Sequence, residues 1–83
     1  MHLAKHVKFR EEKFGSVLFE TRSEKVYTLN PAATAVVREI QAGADEATIR
    51  QRLKERFDDE GGSIDRDVTA LLADLRAKGL LEG

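Results

Sequence analysis

Apolar and polar positions alternate with a period of two in the first third of the chain and recur every three to four residues in the remainder. In "HVKFR", residues 6–10, Val7 and Phe9 alternate with Lys8 and Arg10, which predicts a short half-buried strand. "GSVLFET", residues 15–21, carries Val17, Leu18 and Phe19, and "VYTL", residues 26–29, is again β-branched and aromatic. The last two runs predict a hairpin. No Asn-Gly or Asp-Gly marks a tight turn between them, so a loop of about four residues is expected around Arg22 to Glu24.

The period changes at "LNPAATAVVREI", residues 29–40. Asn30 is a favoured helix N-cap, and Pro31 suits the first helical position because its missing N–H has no partner there. Ala33, Val36, Val37 and Ile40 then share one helical face, and Gly43 offers a left-handed terminator. A second helix is predicted from Asp45 as N-cap, with Ile49, Leu53 and Phe57 on a narrow stripe. The acidic, glycine-containing break "DDEGGSI" follows. A third helix then starts at Ser63 or Asp65, with Ile64, Val68, Leu71, Leu72 and Leu75 as its core face and Gly79 as its stop. Residues 1–5 are expected to fray, and only Leu80 to Gly83 remain after the last helix. The pattern describes one α+β domain over residues 1–83, three N-terminal antiparallel strands followed by three helices, in a winged-helix-like arrangement.

Composition narrows the function. Fourteen Lys and Arg against 15 Asp and Glu leave a formal charge of -1, so nothing in the overall balance draws the chain to nucleic acid or an anionic membrane. There is no cysteine, hence no disulfide, thiolate ligand or thiol nucleophile. No apolar run has the length of a membrane span and the N-terminus lacks the apolar centre of a signal peptide, so a cytoplasmic location is expected. His2 and His6 have helical i, i+4 spacing but no third ligand nearby. The acidic break lacks the register of a calcium loop, Gly61-Gly62 lacks the Lys of a phosphate loop, and no serine has a nucleophile frame. No catalytic, cofactor or metal site is expected.

Two binding modes suit such an architecture. A winged helix reads DNA through its last helix, but Asp65, Asp67 and Asp74 offset Arg66, Arg76 and Lys78 there, and acid dominates the first turn, where phosphate would approach. The basic run Arg50, Arg52, Lys54, Arg56 is diluted by Glu46 and Glu55 and reads as a solvated face. In the other mode an extended peptide adds to an exposed sheet edge and places alternate side chains in pockets. The third predicted strand, Lys25, Val26, Tyr27, Thr28 and Leu29, is a candidate edge, and Asp67, Leu71, Asp74 and Lys78 line one flank of the third helix at the spacing of successive turns. An adaptor that docks a large protein without binding any peptide is a third possibility. Strand edges also invite self-pairing, so a monomer or a weak dimer is expected.

The order of these signals resembles the PqqD-like peptide chaperones, the recognition elements for precursors of ribosomally made, modified peptides. The likeness covers residues 14–81. It rests on a strand ending in Leu29-Asn30 before Ala32 and Ala33, on Gly43 followed by the Ile49–Leu53 step, and on Asp67, Val68, Leu72, Leu75, Gly79 and Leu80 at the end. The resemblance implies a non-catalytic domain that binds the leader segment of a precursor peptide along Lys25 to Leu29 and the third helix. It further implies presentation of that peptide to a modifying enzyme, commonly a radical S-adenosylmethionine (SPASM-type) protein carrying iron–sulfur clusters. The N-terminal "MHLAKHVKFREEKFG" and the helix segment "VVREIQAG" depart from the family pattern, which leaves the pathway unspecified.

Overall fold

The alternating segments form an antiparallel sheet and the periodic ones three helices. The computed structural model describes residues 1–57 and 60–83. In chain order its elements are β1 (His2–Leu3), β2 (Val7–Glu12), β3 (Gly15–Glu20), β4 (Lys25–Leu29), α1 (Pro31–Gln41), α2 (Glu46–Arg56), a 3-10 turn (Glu60–Gly62), α3 (Ser63–Ala77) and β5 (Leu81–Glu82). The main sheet has the order β2-β3-β4, so β2 and β4 are both edges. Its register sets Phe9, Leu18 and Tyr27 in one cross-strand row and Lys8, Phe19 and Val26 in the next. Side chains alternate across a sheet. The first row therefore faces the helices, where Leu18 is wholly buried, and the second faces away.

Strand β2 runs further than its alternation indicated, through the polar Arg10-Glu11-Glu12, because an edge strand tolerates charge on its open side. Lys13 and Phe14 form the turn into β3, and Gly15 follows at φ 145°. A Cβ there would stand 2.0 Å from the Leu29 carbonyl oxygen, so the start of β3 and the end of β4 approach through a position open only to glycine. Between β3 and β4 lies a turn over residues 21–24, of the expected length. The Glu20 carboxylate closes it by accepting the amides of Arg22 at 2.9 Å and Ser23 at 3.0 Å.

The predicted caps of the first two helices are present: Asn30 Oδ1 accepts the Ala33 amide and Asp45 Oδ1 the Thr48 amide, both at 2.8 Å. The third helix starts at Ser63, but neither Ser63 nor Asp65 caps it. Gly62 occupies the N-cap in a left-handed conformation with no side-chain hydrogen bond. Asp65 instead accepts hydrogen bonds from Arg50 and Lys54 of α2. Asp58 and Asp59, which open the acidic break, lie outside the described residues.

The helices pack their stripes onto the inner face of the sheet. Leu18, Val36, Val37, Ile40, Ile49, Val68, Leu72, Leu75 and Leu80 form the centre, each at most 2% exposed. Ser16 and Thr34 join β3 to α1 within it through a 2.7 Å hydrogen bond between their hydroxyls. Leu71 and Ala33, which helical spacing assigned to the core, are only half-buried at its margin.

The chain ends depart most from expectation. Residues 1–5 do not fray and Leu80 to Gly83 are not a free remainder. β1 and β5 pair antiparallel, His2 opposite Glu82 and Leu3 opposite Leu81, and the Ala4 amide donates to the Leu80 carbonyl at 2.9 Å. Burial of Ala4, Leu80 and Leu81 holds this clasp. His2 and His6 are not brought together as a ligand pair: His2 lies 3.4 Å from Glu82, whereas the His6 ring nitrogen is 2.9 Å from the Arg22 guanidinium and 3.7 Å from Glu20.

Candidate functional site

The two sheet edges differ in the side chains they present. Those of β4 alternate: Tyr27 is half-buried and Leu29 buried on the helix side, while Val26 and Thr28 are exposed on the other. The central residues Val26, Tyr27 and Thr28 carry no charge. Edge β2, in contrast, presents Lys8, Arg10, Glu11 and Glu12, all exposed. Charges along an edge oppose the docking of another strand. Only β4 is chemically open to one.

Helix α3 reaches β4 at its C-terminal end. It runs antiparallel to β4 in space, because Lys78, just past its C-terminus, places its ammonium 5.4 Å over the Tyr27 ring while its N-terminal half meets the residues that follow Leu29. Lys78 is also paired with Asp74 one turn earlier. The cation thus links strand and helix. Asp67 lies towards the N-terminal end of α3, exposed and without an ion pair among the described residues. Half-buried Leu71 sits between Asp67 and Asp74 on the same flank. The structure links Tyr27, Lys78 and Asp74 by direct contacts and places Leu71 and Asp67 on a separate cleft; Val26 and Thr28 belong to the strand but point to the other face.

Beyond the end of β4 lies an apolar cleft of ≈ 410 Å³ at the junction of the three helices. Asn30, Asp67 and Leu71 stand on its rim, and Ala33, Val36, Leu53, Phe57 and Val68 line its walls. Sequence reasoning missed this cleft. Its signals were two positions that looked like plain core: small Ala33, which leaves room, and Phe57, which sits at the α2 C-cap and is only half-buried.

The cations of α2 are not a free phosphate-binding face. Arg50 donates to the Asp65 carbonyl at 2.7 Å and the Thr69 hydroxyl at 2.7 Å, Lys54 pairs with Asp65 at 2.8 Å, and Arg52 pairs with Glu39 of α1 at 2.5 Å. Of the run read as a solvated face, Arg50, Arg52 and Lys54 tie helices together, while Arg56 is exposed and lies over the Phe57 ring at 5.9 Å. Lys54, and secondarily Arg50, hold the Asp65 carboxyl below its ordinary range. Among the described residues no helix is long and apolar enough to cross a membrane.

With this geometry the chain was compared with known proteins. The family model for coenzyme PQQ synthesis protein D (PqqD) matches residues 15–81. The chain belongs to the PqqD family. That span takes in β3, β4, all three helices and the first residue of β5. No curated protein sequence matches the chain significantly. Among solved structures it is similar to TbiB1 in complex with the TbiA(beta) leader peptide, with a TM-score of 0.90, 19% identity, and coverage of 100% of this chain and 96% of that one. It is also similar to a lasso peptide synthetase B1 complexed with the leader peptide, with a TM-score of 0.86, 26% identity, and coverage of 99% and 96%. At 19% identity TbiB1 bears on the fold alone. Both agree with three antiparallel strands followed by three helices.

Proposed function

We propose that this PqqD-family protein binds the leader segment of a ribosomally synthesised precursor peptide by adding it as a strand to β4, and holds it for a peptide-modifying enzyme. The observation that carries the reading is the contrast between the sheet edges: β2 is lined with charge, whereas β4 is uncharged at its centre and meets the end of α3 through Lys78 over Tyr27. Backbone pairing with β4 supplies affinity that is independent of sequence. Side chains supply the selection. Tyr27 and Leu71 offer apolar contact, Lys25 and Lys78 attract acid at one end, Asp67 attracts base at the other, and the adjoining cleft accepts an apolar peptide side chain. Asp74 holds Lys78 in place. The site contributes no nucleophile or base in this scheme, and the protein acts by binding alone.

The family resemblance supports a radical S-adenosylmethionine enzyme as the recipient. A lasso-type peptide processing system is the second reading, favoured by the neighbour at 26% identity, a lasso peptide synthetase B1 complexed with its leader. DNA reading is not supported by the tied cations of α2.

Proline substitution on β4 tests the proposal. Successive residues of an edge strand direct their N–H groups alternately inward and outward. Of Tyr27→Pro and Thr28→Pro, one therefore breaks the ladder to β3 and the other removes a donor from the open edge. With the labelled leader of the precursor encoded beside this chain, fluorescence anisotropy should show Kd near the micromolar range, about 8 kcal/mol, for the unaltered protein. The variant that keeps its fold should bind at least about tenfold more weakly, a loss of about 1.4 kcal/mol. Unchanged affinity in the variant that keeps its fold would rule out strand addition at β4.

A further inference from the structure

His6 is a titratable residue, its side chain 19% exposed, that the peptide reading leaves without a role. It sits against the turn between β3 and β4, where the Thr21 amide and hydroxyl both donate to its carbonyl, at 2.8 and 2.9 Å. Its ring makes a second tie, with Nε2 standing 2.9 Å from the Arg22 guanidinium and 3.7 Å from Glu20 Oε1. A guanidinium keeps all its protons and accepts no hydrogen bond. Arg22 is therefore the donor and Nε2 the acceptor, so the ring is neutral and carries its proton on Nδ1. Arg22 Nε lies 3.7 Å from the same Glu20 oxygen. The other charges near in sequence or register are Glu24 of the turn, Lys25 of β4 opposite Glu20, and Lys5 and Lys8 of the ring's own segment, all exposed. Among the described residues no helix contributes an ion pair to the ring or to Glu20.

We propose that His6 is a proton-operated latch on the β3–β4 turn: the neutral ring holds Arg22, and the protonated ring turns to Glu20 and releases it. One nitrogen cannot accept from Arg22 and donate to Glu20 at once, so the two contacts exclude each other. Proton uptake at Nε2 removes the lone pair that Arg22 uses and sets two cations face to face. The new N–H then competes with Arg22 for Glu20 Oε1. Glu20 keeps the Arg22 and Ser23 amides, so the backbone of the turn stays closed while the Arg22 side chain, already 73% exposed, moves into water. Histidine ordinarily changes charge between about pH 5 and 8. Acidification across that range frees a guanidinium at the end of the hairpin where Lys25 begins β4. The open edge gains a cation at its start with no change in the strand itself. The latch rests on these contacts alone and holds whether or not a peptide adds to β4.

The full chain, labelled with carbon-13 and nitrogen-15, tests this by NMR. It has two histidines, and the other is a built-in control: His2 Nε2 lies 3.4 Å from Glu82, where it donates. At about pH 8 the His6 imidazole should carry its proton on Nδ1 and the His2 imidazole on Nε2. As the pH falls to about 5, the Arg22 Nε resonance, read through Cδ, should move with the same midpoint as the His6 ring. In His6→Gln, which keeps a polar side chain but does not titrate, that resonance should stay constant. Arg22→Ala changes only an exposed side chain of the turn and serves if the first variant does not fold; there the His6 proton should shift to Nε2, toward Glu20. A His6 proton on Nε2 at the higher pH in the unaltered protein overturns the latch. So does an Arg22 resonance that ignores the His6 midpoint, one that still titrates in folded His6→Gln, or an unchanged His6 tautomer in Arg22→Ala. Leader affinity enters none of these readings, so the latch and the strand-addition proposal stand or fall separately.

Discussion

Gly15 shows how one residue fixes the strand that the proposed peptide site depends on. Its φ of 145° suits glycine alone, and a methyl group there would meet the Leu29 carbonyl oxygen at 2.0 Å. Gly15→Ala must push β4 away from β3 or strain the turn, at a cost of about 3 kcal/mol. Urea unfolding should register this as a lower midpoint. The folded fraction should also bind leader less well, since Leu29 ends the pairing edge. A midpoint within error of the unaltered protein would mean that the close approach at Gly15 relaxes freely.

Among the elements, the β3–β4 turn carries the clearest dependence on pH. Hydrogen bonds from Ser23, then the Arg22 amide and the His6 charge, hold the Glu20 carboxyl at about 2, against an ordinary 4.5. A carboxyl depressed in the folded state stabilises the fold fully above its unfolded value. The contribution from Glu20 is therefore complete above about 4.5 and is lost as pH falls toward about 2. Thermal melts of Glu20→Gln should show a shallower decline across that window than the unaltered protein, and equal slopes would discount the turn as an acid-sensitive element. How legible each element was in the sequence follows from its length. The helices α1 and α2 announced themselves by Asn30-Pro31 and Asp45, because capping is local chemistry written in adjacent residues. Strands β3 and β4 were legible for a similar reason. The tail of β2 was not, since Arg10-Glu11-Glu12 is an edge whose polarity hides the alternation. β1 and β5 have two residues each, too few to carry any period, and their pairing spans the whole chain. Strand β4 and helix α3 were each legible as elements, but the cleft depends on how three helices meet, which no single segment encodes.

At the scale of the whole molecule, the β1–β5 clasp ties the two ends of the chain beneath the core. Met1 and Leu3 are half-buried against it, and Ala4 bonds to Leu80. Deleting residues 1–3 should remove apolar burial of about 2 kcal/mol, a fall in Tm of roughly 8–16 °C for a chain of this size. A single melting transition at the original temperature would show that the clasp lies outside the cooperative unit. The clasp meets α3 at Arg76, whose guanidinium donates to the Met1 sulfur, and leader affinity should still hold below the new Tm. The charged edge of β2 and the bare edge of β4 have a further consequence in a concentrated sample. Any extended, sticky segment will find the same uncharged seam, whether it belongs to a leader or to a partly unfolded neighbour. On the strand-addition proposal the empty protein should be the form that clumps on storage, and cargo should double as its preservative: the chain would age best while at work.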